Sequence, residues 1–228
     1  MERLPEPELM NDAAQVQAYA DADFSAGDQD LIRNLEQLLS KEQRSLNPPC
    51  LFLDLGCGPG NISERLARRW PRARVIGIDA AENMLSVARR RQQQAADLCA
   101  LEYQCIALMN LGQDQASLPC LADVVVSNSL LHHLHDPQVL WRGLAQITAP
   151  GAVILHRDLR RPETNDQAEA LQRKHLKGAP AILIRDFLAS LQAAFTVAEV
   201  NAQLKEAGLE KLKVCEIGDR HLEVSGTI

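Results

Sequence analysis

Apolar positions along residues 12–25 and 28–44 recur three and four apart, the spacing that lays one stripe along a helix. Residues 1–11, interrupted by Pro5 and Pro7, read as an extended, mobile arm. Asn47-Pro48-Pro49 is expected to stop the second helix. From residue 50 the pattern changes to short apolar runs set between helical stretches. Residues 50–55 read as a buried strand and 56–60 as a glycine-rich turn. A helix over 61–70 ends at Pro71, a second strand covers 74–78, and a helix rich in Ala, Arg and Gln covers 81–94. Strands follow over 101–107 and 123–127, then a helix over 137–147. Pro150-Gly151 is expected to turn the chain before a fifth strand over 152–155.

This alternation predicts an α/β fold: a doubly wound, mostly parallel seven-stranded sheet with helices on both faces. Residues 161–193 hold two further helical stretches. Thr196 and Glu199 are spaced as a capping box, and Gly208 is a helix stop. Residues 211–217 and 221–224, joined by Gly218-Asp219-Arg220, predict a terminal antiparallel hairpin. The expected organisation is an N-terminal helical cap over 1–45 and one compact domain over 46–228.

The chain of 228 residues is 46% hydrophobic but only 4% aromatic, so its core must be aliphatic. A formal net charge of −6 gives no long-range attraction to phosphate backbones, so no nucleic-acid partner is expected. No apolar run approaches the ~20 residues of a membrane helix, and no signal peptide is seen, so a cytoplasmic protein is expected. The six cysteines, at 50, 57, 99, 105, 120 and 215, share no C-x-x-C spacing and read as small buried thiols. No metal ion is expected. His132, His133 and His135 look like a cluster, but neighbouring histidines should point apart, and no Cys or Glu lies at ligand spacing.

The sharpest chemical signal is Asp54-Leu55-Gly56-Cys57-Gly58-Pro59-Gly60, between the first strand and the first helix that follows it. Glycines let a ligand approach the backbone, and this turn falls where open parallel sheets bind ligands. It is not a dinucleotide fingerprint: Asn61 takes the place of the last glycine, and Pro59 removes an N–H a phosphate would use. Asp54 would repel a phosphate and attract an ammonium or sulfonium. Asp79, ending the second strand, can accept the hydroxyls of a ribose or cap the next helix. S-adenosylmethionine meets these requirements.

These residues resemble class I S-adenosylmethionine-dependent methyltransferases of the small-molecule type. Leu53 to Gly60 is similar to their first motif, and Ile78-Asp79 with Ala80-Ala81-Glu82-Asn83-Met84-Leu85 to their second. Asp123 to Asn128 with Leu131-His132-His133-Leu134 is similar to the fourth-strand motif, and Pro150-Gly151-Ala152 to the turn before the fifth. The resemblance implies that Asp54 and Gly56 hold the methionine end, with Cys57, Gly58 and Asn61 at the same turn. It places Asp79 on the ribose, Ala80 or Met84 on the adenine, and Ser127 on the methionine part. Where the family often carries an acid for adenine, Gln104-Cys105-Ile106-Ala107 has none, leaving the backbone of Ile106 and Ala107. Tyr19, with Phe24 second, is the aromatic that would cover the cofactor; simple core packing explains Tyr19 equally well.

The fourth-strand motif lacks the Pro-Pro-aromatic form used on nucleic-acid bases, which favours a small-molecule acceptor. His133, or His132, is the candidate proton acceptor. Arg157 or Arg185 would hold an anionic group on the acceptor, or else sit in surface ion pairs. His156-Arg157-Asp158 has the lettering of a kinase catalytic loop but lacks its Asn, and that reading is discarded. A non-catalytic cofactor-binding module, a reductase and a macromolecular acceptor remain as rival readings.

Overall fold

The computed structural model describes residues 1–44, 46, 50–111 and 118–228. The proposed helix stop at Asn47-Pro48-Pro49 lies outside the described residues. Two helices, α1 (Ala13–Asp21) and α2 (Ser25–Lys41), precede an alternation of β1 (Leu51–Leu55), α3 (Asn61–Arg69), β2 (Arg74–Asp79), α4 (Glu82–Gln93), β3 (Leu101–Cys105), β4 (Ala122–Asn128), α5 (Gln138–Ile147) and β5 (Thr148–Leu159). Helices α6 (Asn165–His175), α7 (Ala181–Ala193) and α8 (Val197–Glu206) lead into the hairpin β6 (Lys213–Ile217) and β7 (His221–Thr227).

The strands form one seven-stranded sheet in the order β3-β2-β1-β4-β5-β7-β6. Pairings from β3 through β5 are parallel, while β7 runs antiparallel to both β5 and β6. Strand order reverses between β1 and β4, so a crevice opens beyond their carboxyl ends. Period-two alternation explains the two cores. Phe52, Val124, Val126, Val153 and Leu155 face α2 and α3, while Leu53, Leu55, Val125 and Ile154 face α5 and α8. Helix α2 therefore lies directly on the sheet through Leu31, Leu35 and Leu38, whereas α1 rests on α4 and α7.

Three local expectations change. Pro150-Gly151 does not separate a helix from the strand. It lies within β5 as an irregularity, with Gly151 at φ +75°, where pairing with β4 jumps from Thr148 to Val153. The first residues are tied down rather than mobile. Arg3 donates to the carbonyls of Ala193 (2.6 Å), His132 (3.2 Å) and Leu134 (2.9 Å), and its guanidinium covers the Phe195 ring. Of the cysteines only Cys50 and Cys57 are buried; Cys99, Cys105, Cys120 and Cys215 are exposed, and all six are free thiols. The capping box at Thr196 and Glu199 forms as expected.

Candidate functional site

A cavity of about 740 Å³ opens at the carboxyl ends of β1, β2, β4 and β5. That is within the ~300–1,000 Å³ of ligand pockets. The turn after β1 forms its floor. The N–H groups of Gly56 and Cys57 both donate to the Ile78 carbonyl, at 2.8 and 3.0 Å, locking the turn onto β2. Gly56, Gly58 and Gly60 all adopt positive φ, but for different ends. A Cβ on Gly56 would lie 2.7 Å from Leu130 Cδ1 and one on Gly60 2.2 Å from the Tyr103 hydroxyl, so these two are glycines because the protein packs against them. A Cβ on Gly58 would meet no protein atom within 4 Å. Gly58 lines the cavity and is the point where a ligand can touch the backbone.

Two carboxylates flank this turn. Asp54 is buried and accepts from the Ser63 hydroxyl at 2.6 Å. Burial first, then the neighbouring charge of Asp79, pushes its carboxyl up to about 7, against the Ser63 hydrogen bond. It has no basic partner among the described residues, which fits a site awaiting a cation. Asp79 accepts from the backbone N–H groups of Gly58 and Ala81, both at 2.8 Å. Each oxygen keeps a further lone pair for a ribose hydroxyl. Asp79 thus braces the residue before α4 rather than capping the helix, whose N-cap is Ala81 without a side-chain hydrogen bond, and it lines the cavity as well.

Tyr19, Cys57, Asn61, Ala80, Met84, Ile106 and Ala107 line the same cavity. Tyr19 also packs with Val16, Ala81 and Met84, as the core-packing reading expects. Ser127 does not line this cavity. It is buried on the opposite face, beside Trp141 and His156, because it follows Val125 by two residues on β4. Asn128 and Ser129 take its place at the cavity, Ser129 with φ +58°.

The other end of the cavity is built around Asp158, at the end of β5. This buried carboxylate accepts from the N–H groups of Leu130 (2.9 Å), Leu131 (2.5 Å) and His132 (3.4 Å) and bonds the His132 Nδ1. Burial would raise its pKa, but the His132 charge and hydrogen bond hold it well below the usual carboxylate range. Conversely, Asp158 raises His132 above the ordinary imidazole value despite the opposing effect of burial. The 3₁₀ turn Leu131–His133 brings the rings of His132 and His133 to 4.2 Å, so neighbouring histidines converge here instead of diverging. Glu6 joins them from the N-terminal arm, with Oε1 3.4 Å from His132 Nε2 and 3.2 Å from His133 Nδ1. His133, the first candidate proton acceptor, is pushed down to about 3 by burial and the adjacent His132 charge. It is therefore a neutral, weakly basic imidazole.

The two candidate anion anchors part company. Arg185 is exposed, pairs with Asp186 at 2.9 Å and is absent from the cavity wall. Arg157 lines the cavity, yet its guanidinium is held by Glu223 at 2.7 Å and Asp30 at 2.9 Å. Its partners are not the adjacent Asp158. Sequence reasoning missed Arg220, in the β6–β7 turn, which also lines the cavity and forms no ion pair among the described residues. Beside it His221 is pushed down to about 4 by burial and the charges of Arg220 and Arg157. Glu6, Asp158 and Arg220 carry no local motif; only the position of Asp158 at a strand's carboxyl end could have flagged it.

Comparison with known proteins agrees with this geometry. Residues 53–156 match a family model described as a methyltransferase domain. The ubiquinone biosynthesis O-methyltransferase of Idiomarina loihiensis is 38% identical over 109 residues, 48% of this chain and 42% of that protein. A trans-aconitate 2-methyltransferase of Methylobacterium nodulans is 29% identical over 201 residues, 86% of this chain and 68% of that protein. The first relatives matched are thus covered over less than half of their own length. Among solved structures, a SAM-dependent methyltransferase of Aquifex aeolicus superposes with a TM-score of 0.65 at 19% identity, covering 95% of this chain and 98% of the other. The plantazolicin methyltransferase BpumL, solved with S-adenosylhomocysteine, gives 0.69 at 15% identity, with 94% and 90% covered.

Proposed function

We propose that this chain is a class I S-adenosylmethionine-dependent methyltransferase that transfers a methyl group to a small anionic acceptor held beyond β4 and β5. The observation that carries this reading is one continuous cavity with two chemically distinct ends. The Asp54–Gly58–Asp79 end suits the cofactor: a buried acid without a basic partner, an open backbone and an acceptor of hydroxyl hydrogen bonds. The His132–Asp158 end, with Arg220, suits the acceptor.

When bound, the cofactor supplies an electrophilic methyl group on its sulfonium sulfur. The transfer is an in-line displacement, so the protein's main tasks are alignment and exclusion of water. Asp54 would hold the ammonium of the methionine end, Asp79 the ribose, and Tyr19 with Met84 would cover the adenosine. Arg220 holds an anionic group of the acceptor and points its nucleophilic oxygen toward the methyl group. An acceptor that must lose a proton gives it up toward the Glu6–His132 pair, whose imidazole Asp158 holds in place. Relatives named for trans-aconitate and for ubiquinone biosynthesis support a small-molecule acceptor.

The test is release of S-adenosylhomocysteine in the presence of small carboxylic acids and hydroxylated aromatic acids, and of a cell extract before and after nuclease or protease treatment. Turnover with a small acid, and activity that survives both treatments, is expected. Turnover that vanishes with nuclease or protease would assign a macromolecular acceptor. Binding of S-adenosylhomocysteine without turnover on any substrate would leave a binding module.

A further inference from the structure

We propose that Glu6, His132 and His133 form a site for a divalent transition-metal ion, zinc by its ligand set, at the acceptor end of the cavity. Oε1 of Glu6, Nε2 of His132 and Nδ1 of His133 all lie within 4.8 Å of one another. The two measured edges, 3.4 and 3.2 Å, match the spacing of about 3.3 Å between neighbouring ligands in a tetrahedral site with ~2.0–2.1 Å bonds. His133 Nδ1 is buried and lies 3.2 Å from Glu6 Oε1 without forming a hydrogen bond to it, so this nitrogen is left for another partner.

The surroundings supply what a metal site needs beyond its ligands. Asp158 bonds Nδ1 of His132 and leaves Nε2 on the side of Glu6, where a metal ion would displace its proton; this is the carboxylate–histidine arrangement that orients metal-bound imidazoles. Ser190 donates to Glu6 Oε1 at 3.0 Å and fixes that carboxylate. Arg3, bonded to the carbonyls of His132 and Leu134, pins the arm that carries Glu6. Three protein ligands leave the fourth tetrahedral position to the cavity, which both histidines line. An acceptor oxygen coordinated there would be held as an oxyanion, its proton leaving to water. This rests on the reading of that end as the acceptor site, and replaces proton transfer to the Glu6–His132 pair with metal coordination.

The experiment titrates chelator-treated protein with Co²⁺ and Zn²⁺, without acceptor, by calorimetry and visible absorption. One tight equivalent is expected, with the intense visible bands of tetrahedral cobalt and two paramagnetically shifted imidazole N–H signals. Glu6→Gln and His133→Ala should weaken binding at least tenfold while S-adenosylhomocysteine still binds with parental affinity. The inference is overturned if the parent binds no ion, or if both variants bind as it does, which would place the ion on exposed thiols. Should a variant fail to fold, absence of the two imidazole signals in the parent overturns it as well. Because no acceptor is present, failure here leaves the methyltransferase reading standing, and an unproductive acceptor panel leaves the metal site standing.

Discussion

Gly58 offers the sharpest separation of binding from folding. Its φ of +52° lies in the left-handed region, and an added Cβ meets no protein atom within 4 Å. An alanine there costs about 1–2 kcal/mol in backbone strain, and each kcal/mol lowers Tm by roughly 2–4 °C in a chain of this size. Gly58→Ala should therefore remain folded with Tm lower by ~2–8 °C, and Gly58→Val, stiffer at χ1, by somewhat more. The new side chain projects into the cavity, at the end proposed to hold the cofactor. Affinity for S-adenosylhomocysteine should fall at least about tenfold in Gly58→Ala, ~1.4 kcal/mol, and binding should vanish in Gly58→Val. Calorimetry beside thermal melts measures both quantities. Gly60→Ala is the contrasting control: its Cβ would strike the Tyr103 hydroxyl at 2.2 Å, so it loses stability through packing. A folded Gly58→Val protein with parental affinity would refute the placement of the cofactor on this turn.

Asp79→Ala should weaken S-adenosylhomocysteine binding by about 1–3 kcal/mol through lost charge-assisted hydrogen bonds, while NAD fails to bind either protein; unchanged affinity would leave Asp79 a helix-start residue only. Because Asp54 is raised to about 7, its contribution to the stability of the ligand-free protein is full below about pH 4 and is lost as pH rises toward 7. A cofactor ammonium reverses that shift, so binding at pH 6 should release protons and tighten as pH rises to about 7. Calorimetry in buffers of different ionisation enthalpy reads this, and Asp54→Asn should abolish it; no proton release would contradict the assignment. Once an acceptor is known, Arg220→Ala should raise its KM with cofactor affinity unchanged, whereas Arg185→Ala should leave both within error. The reverse result would move the anion site.

The Asp54–Asp79 end of the cavity was legible in the sequence because its parts are close along the chain and tied to strand ends. Asp54, Gly58 and Asp79 fall within 26 residues of one another, and the β1–α3–β2 unit places them without help from elsewhere. Ser127 was misread because a side chain's face depends on parity along the strand. One residue separates the α5 face from the cavity mouth, and Asn128 occupies the position expected of it. The acceptor end resisted reading for a different reason. Glu6, His132, Asp158 and Arg220 come from an arm, a 3₁₀ turn, a strand end and a hairpin, and no spacing rule links them. Arg157 had the right location, but a sequence cannot reveal that Glu223 and Asp30 already neutralise it.

The double hydrogen bonding of Asp79 has a consequence for how binding free energy arises. Its carboxylate clasps Gly58 and Ala81 while the Ile78 carbonyl clasps Gly56 and Cys57, so both loops are held in shape by the protein's own hydrogen bonds. Little conformational entropy is then left to lose on association at this end, and affinity comes without ordering of the loops. Amide hydrogens of residues 56–58 should accordingly exchange slowly even in the free protein. It also follows that a cofactor analogue stripped of its ribose hydroxyls would still bind the Asp79→Ala protein less well than the parent, because the turn itself would have lost its clasp.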